Sequence, residues 1–113
     1  MCTKLQAIDI MHKVFERSRS VYGEALTEAY LYGSYARGDF HAESDIDILL
    51  VADLTQREIS SCRNALAHIT SELSLEHDVT VSVTVKPFEQ FYRFSEVLPY
   101  YKNVCLEGIR YAG

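Results

Sequence analysis

The strongest constraint on the fold is the segment Asp45–Ala52, which reads DIDILLVA. Side chains alternate between the two faces of a β-strand, so Asp45 and Asp47 should emerge on the same side. The second half of the segment is apolar on both faces, which is typical of a central strand covered on both sides. We therefore expect a buried strand that starts with two carboxylates on one face. A plainer alternative is that these acids only solvate the end of the strand.

A tight turn lies upstream of the two acids, in the run GSYARGD that starts at Gly33. Gly33 would let the backbone approach a phosphate oxygen, because no Cβ stands in the way. Ser34 adds a hydroxyl and an amide at the start of a short helical turn, Ser34–Arg37, where anions are favoured. Asp45 and Asp47 could share a pair of Mg²⁺ ions. A phosphate cradle beside a Mg²⁺ site indicates phosphoryl or nucleotidyl transfer.

Hydrophobic periodicity predicts the remaining elements. They are a helix over Thr3–Ser18, a strand over Ala25–Tyr32, an amphipathic helix over Thr55–Ser74, a strand over Asp78–Lys86, and helices over Phe88–Phe94 and Pro99–Glu107. The sum is a small α/β (α+β) domain: a mixed sheet with helices packed on one face and a polar opposite face. We expect residues 1–113 to form a single domain.

The amino-acid composition excludes some classes of binding partner. The net charge is −5 and the basic residues are scattered, so a face for binding nucleic acid is not expected. A nucleotide remains possible, because metal ions can neutralise phosphate charge locally. No apolar stretch reaches the roughly 20 residues that cross a bilayer, so no membrane partner is expected. The three cysteines are far apart and odd in number, which fits reduced thiols in the cytoplasm.

The two motifs together resemble the signature of the DNA polymerase β-like nucleotidyltransferase superfamily. The matching residues are Gly33-Ser34-Tyr35-Ala36-Arg37-Gly38 and Ser44-Asp45-Ile46-Asp47. The short length resembles the minimal nucleotidyltransferase (MNT) proteins in particular. This resemblance implies a polymerase-β-like palm in which Gly33 and Ser34, with Arg37 and Ser44, contact the nucleotide. It also implies that Asp45 and Asp47 bind Mg²⁺ and that the substrate is ATP or another NTP.

The same resemblance suggests a partner. Many MNT proteins are paired with a HEPN-domain toxin and act as its antitoxin, in some cases by transferring AMP to a tyrosine of the toxin. The resemblance therefore implies a nucleotidyltransferase that moves AMP to a hydroxyl of a partner protein or small molecule. Because one small domain cannot enclose a large acceptor, a HEPN partner or a second copy of the chain should complete the pocket.

One feature departs from the family pattern. Active members carry a third acid on the strand after the long helix, where this chain has Thr80, a hydroxyl that is not a base at neutral pH. Asp78 lies two residues earlier and would project from the same strand face, so it is our candidate catalytic base. A surface acid at the start of the strand is the alternative. If no acid substitutes, the domain could bind nucleotide and neutralise a HEPN partner without catalysis.

Two residues of the signature have open roles. Arg37 could contact a nucleotide phosphate, or it could pair with Asp39 or Glu43 at the surface. Tyr35 could flank the nucleotide. A nucleic-acid-end modifier is a third functional reading, which the acidic balance disfavours.

Overall fold

The computed structural model describes residues 2–113 and has a four-stranded sheet. The strands are β1 (Leu26–Tyr32), β2 (Ile46–Ala52), β3 (Val81–Pro87) and β4 (Ile109–Tyr111). The helices are α1 (Lys4–Tyr22), α2 (Ser34–Arg37), α3 (Gln56–Ser61), α4 (Arg63–His77), α5 (Phe88–Phe94) and α6 (Pro99–Glu107), with a 3-10 turn over Gly23–Ala25. No helix within residues 2–113 has the length and apolar character needed to cross a membrane.

The strands lie in the order β3-β2-β1-β4. β2 runs antiparallel to β1 and parallel to β3, and β4 adds to the other edge of β1 in the antiparallel sense. The parallel pair needs a crossover, which α3 and α4 provide. In this register Tyr32, the last residue of β1, pairs with Asp47 near the start of β2. The turn that follows β1 is therefore held beside the acids of β2.

Helices α1, α3 and α4 cover one face of the sheet. Their core includes Ile10, Phe15 and Leu73, which pack with Ile48 and Leu50 of β2. Each of these five side chains is no more than 1% exposed. Burial of such side chains contributes about 1.5–3 kcal/mol each relative to exposure. This packing confirms the predicted mixed α/β sheet, but α5 and α6 also pack on the opposite face, which is therefore polar only in part.

Helices α5 and α6 add a smaller apolar cluster on the opposite face. Tyr30 and Leu49 of the sheet pack there with Phe91 of α5 and with Tyr101 and Val104 of α6. The cluster covers the part of β1 and β2 that lies away from Asp47. The polar positions of β3 lie beyond it, where Ser82 is exposed and Thr84 half-buried. One end of this face is therefore open, as a binding surface requires.

The helix boundaries differ from the predicted ones. α1 starts with a capping box between Thr3 and Gln6, and it continues past Ser18 until Gly23 ends it. The single helix predicted over Thr55–Ser74 is two helices. The capping box of Thr55 and Glu58 is present, but the chain turns at Cys62, whose φ and ψ are −99° and 8°. The apolar spacing continues across that break, which is why periodicity alone did not show it.

The strand predicted over Asp78–Lys86 starts later than expected. α4 continues to His77 and Asp78 ends it in the left-handed conformation, with φ of 50° and its amide donating to the Ser74 carbonyl. The regular strand begins at Val81. The prediction that Asp78 projects from the strand beside Thr80 is therefore wrong, because Asp78 ends helix α4 and lies before the start of strand β3. α5 and α6 lie where they were predicted, and β4 was not predicted.

Candidate active site

The turn after β1 brings backbone to the edge of the sheet. Gly33 has φ of 75° and ψ of −153°, a conformation that is essentially restricted to glycine. Ser34 begins the short helix α2, and Gly38 ends it in the left-handed conformation with its amide donating to the Ser34 carbonyl at 2.9 Å. Both glycines of the motif are thus required by the backbone path. The turn presents the Ser34 side chain and the Gly33 backbone to a cavity.

Asp47 lies directly against this turn. A Cβ placed on Gly33 would overlap Oδ2 of Asp47, and it would lie 3.3 Å from the Asp47 Cγ. Only a residue without a side chain allows this approach. The predicted convergence of the glycine turn with the second acid is therefore present in the structure.

Asp45 and Asp47 differ in their surroundings. Asp47 lies within β2 and is half-buried, whereas Asp45 lies just before the strand and is exposed. Burial raises the pKa of the Asp47 carboxyl, the charge of Asp45 raises it further, and Arg37 lowers it. The effect of the Asp45 charge on Asp47 indicates that the two carboxylates are near neighbours. Repulsion between them would be relieved by a cation, as expected of a pair that binds metal.

The neighbours of Asp47 on β3 are hydroxyl residues. Ser82 pairs with Asp47 in the parallel register. Thr80 precedes the strand, and its carbonyl accepts from the Ile46 amide at 2.9 Å. The next residue on the same face of β3 is Thr84, which pairs with Leu49. The register therefore puts Ser82, rather than Thr80, beside Asp47, and neither side chain is an acid.

Asp78 lies elsewhere. It lines a separate cavity of about 190 Å³ with Cys2, Gln6, Ile10 and His77, at the start of α1 and the end of α4. The cavity that contains Asp47 does not include Asp78 in its lining. The structure thus brings Gly33, Ser34 and Asp47 together and places Asp78 apart from them.

The other predicted ligands have protein partners. Arg37 pairs with Asp39 at 3.2 Å and with Glu107 of α6 at 3.6 Å. The guanidinium still lines the cavity. Ser44 forms a turn with His41, in which its hydroxyl accepts from the His41 amide at 2.9 Å.

Tyr35 does not flank the cavity. It is 1% exposed and stacks on Phe40 with ring centroids 4.3 Å apart, so it is a core residue. The expectation that Tyr35 could border a nucleotide is wrong, because the side chain points into the core on the α1 side of the sheet.

The cavity beside Asp47 has a volume of about 410 Å³. One wall comes from the motif residues, and the other comes from Tyr32 and from α6. The α6 residues are Tyr100, Asn103, Val104 and Glu107. The residues of this second wall were not predicted from the sequence. A larger cavity of about 520 Å³ lies between the loop after β2 and α5, away from the motif residues.

The two carboxylates suit Mg²⁺ chemically, because Mg²⁺ takes oxygen ligands and usually keeps waters and substrate phosphates in its shell. Among residues 2–113, no group of three or more His, Cys, Asp or Glu side chains could hold a metal. A cation bound by Asp45 and Asp47 would need water or phosphate oxygens as its remaining ligands. A cation at this position would neutralise charge as the phosphate is transferred.

The chain is similar to known nucleotidyltransferases. The model of the nucleotidyltransferase domain family matches residues 12–111. Two candidate protein adenylyltransferases of Methanocaldococcus jannaschii are similar to the chain. MJ0604 is 32% identical over 80% of this chain and 82% of its own length, and MJ0141 is 28% identical over 69% and 77%.

Solved structures show the same fold. A toxin–antitoxin structure with AMP-PNP aligns with a TM-score of 0.57 at 20% identity, over 91% of this chain and 73% of that chain. A toxin–antitoxin MntA-HpeT mutant, D39ED41E, aligns with a TM-score of 0.56 at 19% identity over the same shares. The family and fold predicted from the signature are thereby confirmed. The chain belongs to the nucleotidyltransferase domain family.

Proposed function

We propose that this protein is a Mg²⁺-dependent adenylyltransferase that moves AMP from ATP to a hydroxyl of a partner protein. The observation that carries the proposal is the contact of the Gly33 backbone with the Asp47 carboxylate. In this arrangement a polyphosphate that lies on the Gly33–Ser34 turn also meets the Asp47 carboxylate. The similarity to candidate protein adenylyltransferases favours a protein acceptor.

Each residue of the proposed site has a separate role in the reaction. Gly33 and Ser34 would hold the phosphates. Arg37 would give up part of its ion pairing with Asp39 and Glu107 and contact the nucleotide instead. The acceptor oxygen forms a bond to the α-phosphorus while the bond to the pyrophosphate oxygen breaks. Pyrophosphate leaves, and the acceptor proton passes to solvent. Asp45 and Asp47 would hold Mg²⁺, so catalysis consists of positioning and electrostatic stabilisation.

The acceptor we propose is a HEPN-domain toxin, which makes this chain an antitoxin. The structural similarity to toxin–antitoxin assemblies supports this choice. The cavity is a cleft that is partly open to solvent, so a partner protein or a second copy could complete it. The described cysteines, Cys2, Cys62 and Cys105, are all free thiols, which fits the cytoplasm as the place of reaction.

The test uses ATP labelled at the α-phosphate, Mg²⁺ and the protein encoded by the adjacent gene. We expect the label to move to that protein. ATP labelled at the γ-phosphate should leave it unlabelled, which distinguishes AMP transfer from phosphorylation. Asp45→Asn with Asp47→Asn should abolish the transfer, whereas Asp53→Asn, at an exposed acid outside the site, should preserve it. If no acceptor is labelled by the wild type, the transfer proposal fails.

A second candidate function is supported by the hydroxyl residues Thr80 and Ser82, which stand where a third acid would be needed. In this alternative the chain binds nucleotide and neutralises its toxin by covering it. The Asp45→Asn, Asp47→Asn double variant separates the two functions. Antitoxin activity that survives the double change favours covering. Loss of that activity with the complex intact favours chemistry.

A further inference from the structure

The cavity beside Asp47 has two chemically different walls. The motif wall is polar and carries Ser34, Arg37 and Asp47, which suit phosphates and a cation. The opposite wall carries the rings of Tyr32 and Tyr100 and the amide of Asn103. A nucleotide has the same division, with charged phosphates at one end and a flat aromatic base at the other. A volume of about 410 Å³ lies within the range of about 300–1,000 Å³ found for small-ligand sites.

Tyr100 is held in one orientation by the sheet. Its hydroxyl donates to the Tyr32 hydroxyl at 3.0 Å. This hydrogen bond joins α6 to the end of β1, where Tyr32 pairs with Asp47 of β2. The Tyr32 and Tyr100 rings meet edge to face, with centroids 5.7 Å apart. A ring fixed at its hydroxyl is a preorganised surface for stacking.

Tyr32 packs partly against the cluster of α5 and α6, but core packing does not account for Tyr100 and Asn103. Tyr100 is 41% exposed, unlike its neighbour Tyr101, which is 4% exposed and packs on Phe91. Asn103 lies one helical turn after Tyr100 and is exposed. Within residues 2–113 its amide makes no side-chain hydrogen bond to the protein. An exposed ring beside an amide that can both donate and accept is what base recognition requires.

We propose that this wall, formed by Tyr32, Tyr100 and Asn103, binds the base of the nucleotide and selects adenine. Tyr100 stacks on the base, and Tyr32 positions Tyr100 through the hydrogen bond between their hydroxyls. The Asn103 amide donates to one ring nitrogen of adenine and accepts from its exocyclic amino group. The larger ring of a purine stacks over more area than a pyrimidine. This inference rests on the nucleotide site of the proposed function and adds its base specificity.

The test is titration calorimetry of the full chain with Mg²⁺-ATP, Mg²⁺-CTP and Mg²⁺-tripolyphosphate, which has no base. We expect the wild type to bind ATP more tightly than CTP. Tyr100→Leu should weaken ATP binding about tenfold, in line with base–aromatic stacking energies, and leave tripolyphosphate binding unchanged. Tyr100→Phe, which keeps the ring, should retain most of the affinity. Asn103→Leu should reduce the preference for ATP over CTP.

Two controls are matched to these changes. Phe88→Leu removes an exposed ring of α5, and Asn64→Leu changes an exposed amide of α4; both lie outside the cavity lining and should leave ATP binding unchanged. If Tyr100→Leu proves unfolded by circular dichroism, Asn103→Leu alone decides, because its side chain is exposed.

The outcomes separate this inference from the proposed function. If the wild type binds ATP and CTP equally, or if Tyr100→Leu and Asn103→Leu bind ATP as the wild type does, base recognition by this wall is overturned while the nucleotide site stands. If the wild type binds neither ATP nor tripolyphosphate, the proposed function itself fails and this inference fails with it.

Discussion

The backbone of Gly33 and the carboxylate of Asp47 are in direct contact, so closely that a Cβ on Gly33 would overlap the Asp47 Oδ2. This contact joins the turn after β1 to the strand that carries the acids. It explains why the motif needs glycine at that position on two grounds, the backbone conformation and the space beside the acid.

Gly33→Ala should therefore lower both stability and nucleotide binding. The backbone strain costs about 1–3 kcal/mol, and displacement of Asp47 should remove measurable Mg²⁺-ATP binding. Gly23 provides a matched control, since its φ and ψ of 62° and −145° are similar but no atom lies within 4 Å of its Cβ position. Gly23→Ala should lose stability in urea unfolding and keep full ATP binding. Equal effects of the two variants on binding would contradict the role of the Gly33–Asp47 contact.

The pKa of Asp47 predicts a pH dependence of stability. Burial and the Asp45 charge raise this pKa above its ordinary value of 3.8. Between the ordinary and the raised value, the folded chain binds more protons than the unfolded chain, so stability falls as pH rises through that window. Asp47→Asn should remove this contribution in urea unfolding measured across the acidic range. An unchanged pH profile in the variant would show that Asp47 titrates normally.

The same shift predicts the pH dependence of ligand binding. A protonated carboxyl is a poor Mg²⁺ ligand, so the affinity for Mg²⁺-ATP should rise with pH through the raised pKa of Asp47. Titration calorimetry at several acidic pH values measures this rise. The contrary result is an affinity that is constant over the range in which Asp47 titrates.

Asp78 provides a test of the sequence-based assignment of a catalytic base. Because Asp78 has positive φ, asparagine is the suitable replacement, since it tolerates the left-handed conformation well. Asp78→Asn should keep the fold and retain transfer to the acceptor, because the residue lines a different cavity from Asp47. A loss of transfer of about hundredfold or more, in the range expected for a general base, would restore the catalytic assignment.

Replacement of Glu28, a buried carboxylate at the other end of the sheet, should affect stability but not nucleotide binding. Glu28 is 2% exposed and accepts hydrogen bonds from Tyr30, Tyr92 and Arg110. Glu28→Gln should lower the free energy of unfolding by about 1–3 kcal/mol, since charged hydrogen bonds are weakened. Glu24→Gln, at an exposed acid, should change it by less than about 0.5 kcal/mol. Reduced ATP binding by the folded Glu28 variant would show that this cluster communicates with the site.

The local sequence pattern was sufficient to predict the residues of the motif wall of the site. Gly33, Ser34 and the Asp45–Asp47 pair lie in one continuous segment, where turn chemistry and strand alternation act over a few residues. These residues could therefore be predicted from the sequence. The register that pairs Tyr32 with Asp47 across the connection of residues 33–45 could not.

The second wall could not be predicted, because it depends on long-range packing. The spacing of Tyr101 and Val104 predicts an amphipathic α6, but it does not show which face of the sheet receives that helix. The placement of Tyr100 beside Tyr32 follows only from that docking.

The wrong assignment of Asp78 has a related cause. The alternation of polar and apolar residues from Asp78 onward fits a strand. In the structure, however, Asp78 forms the end of helix α4. Asp78 therefore caps the helix, and strand β3 starts three residues later, at Val81. Strand alternation is a local signal that carries no information on where a preceding helix stops.

The central claim is that Asp45 and Asp47 share a Mg²⁺-nucleotide with the Gly33–Ser34 turn. Calorimetric titration of ATP with and without Mg²⁺ tests it most directly, with the wild type beside the Asp45→Asn, Asp47→Asn double variant. We predict that Mg²⁺ strengthens ATP binding by the wild type and that the double variant, still folded, loses this gain. Equal Mg²⁺-dependent binding by the two proteins would contradict the claim.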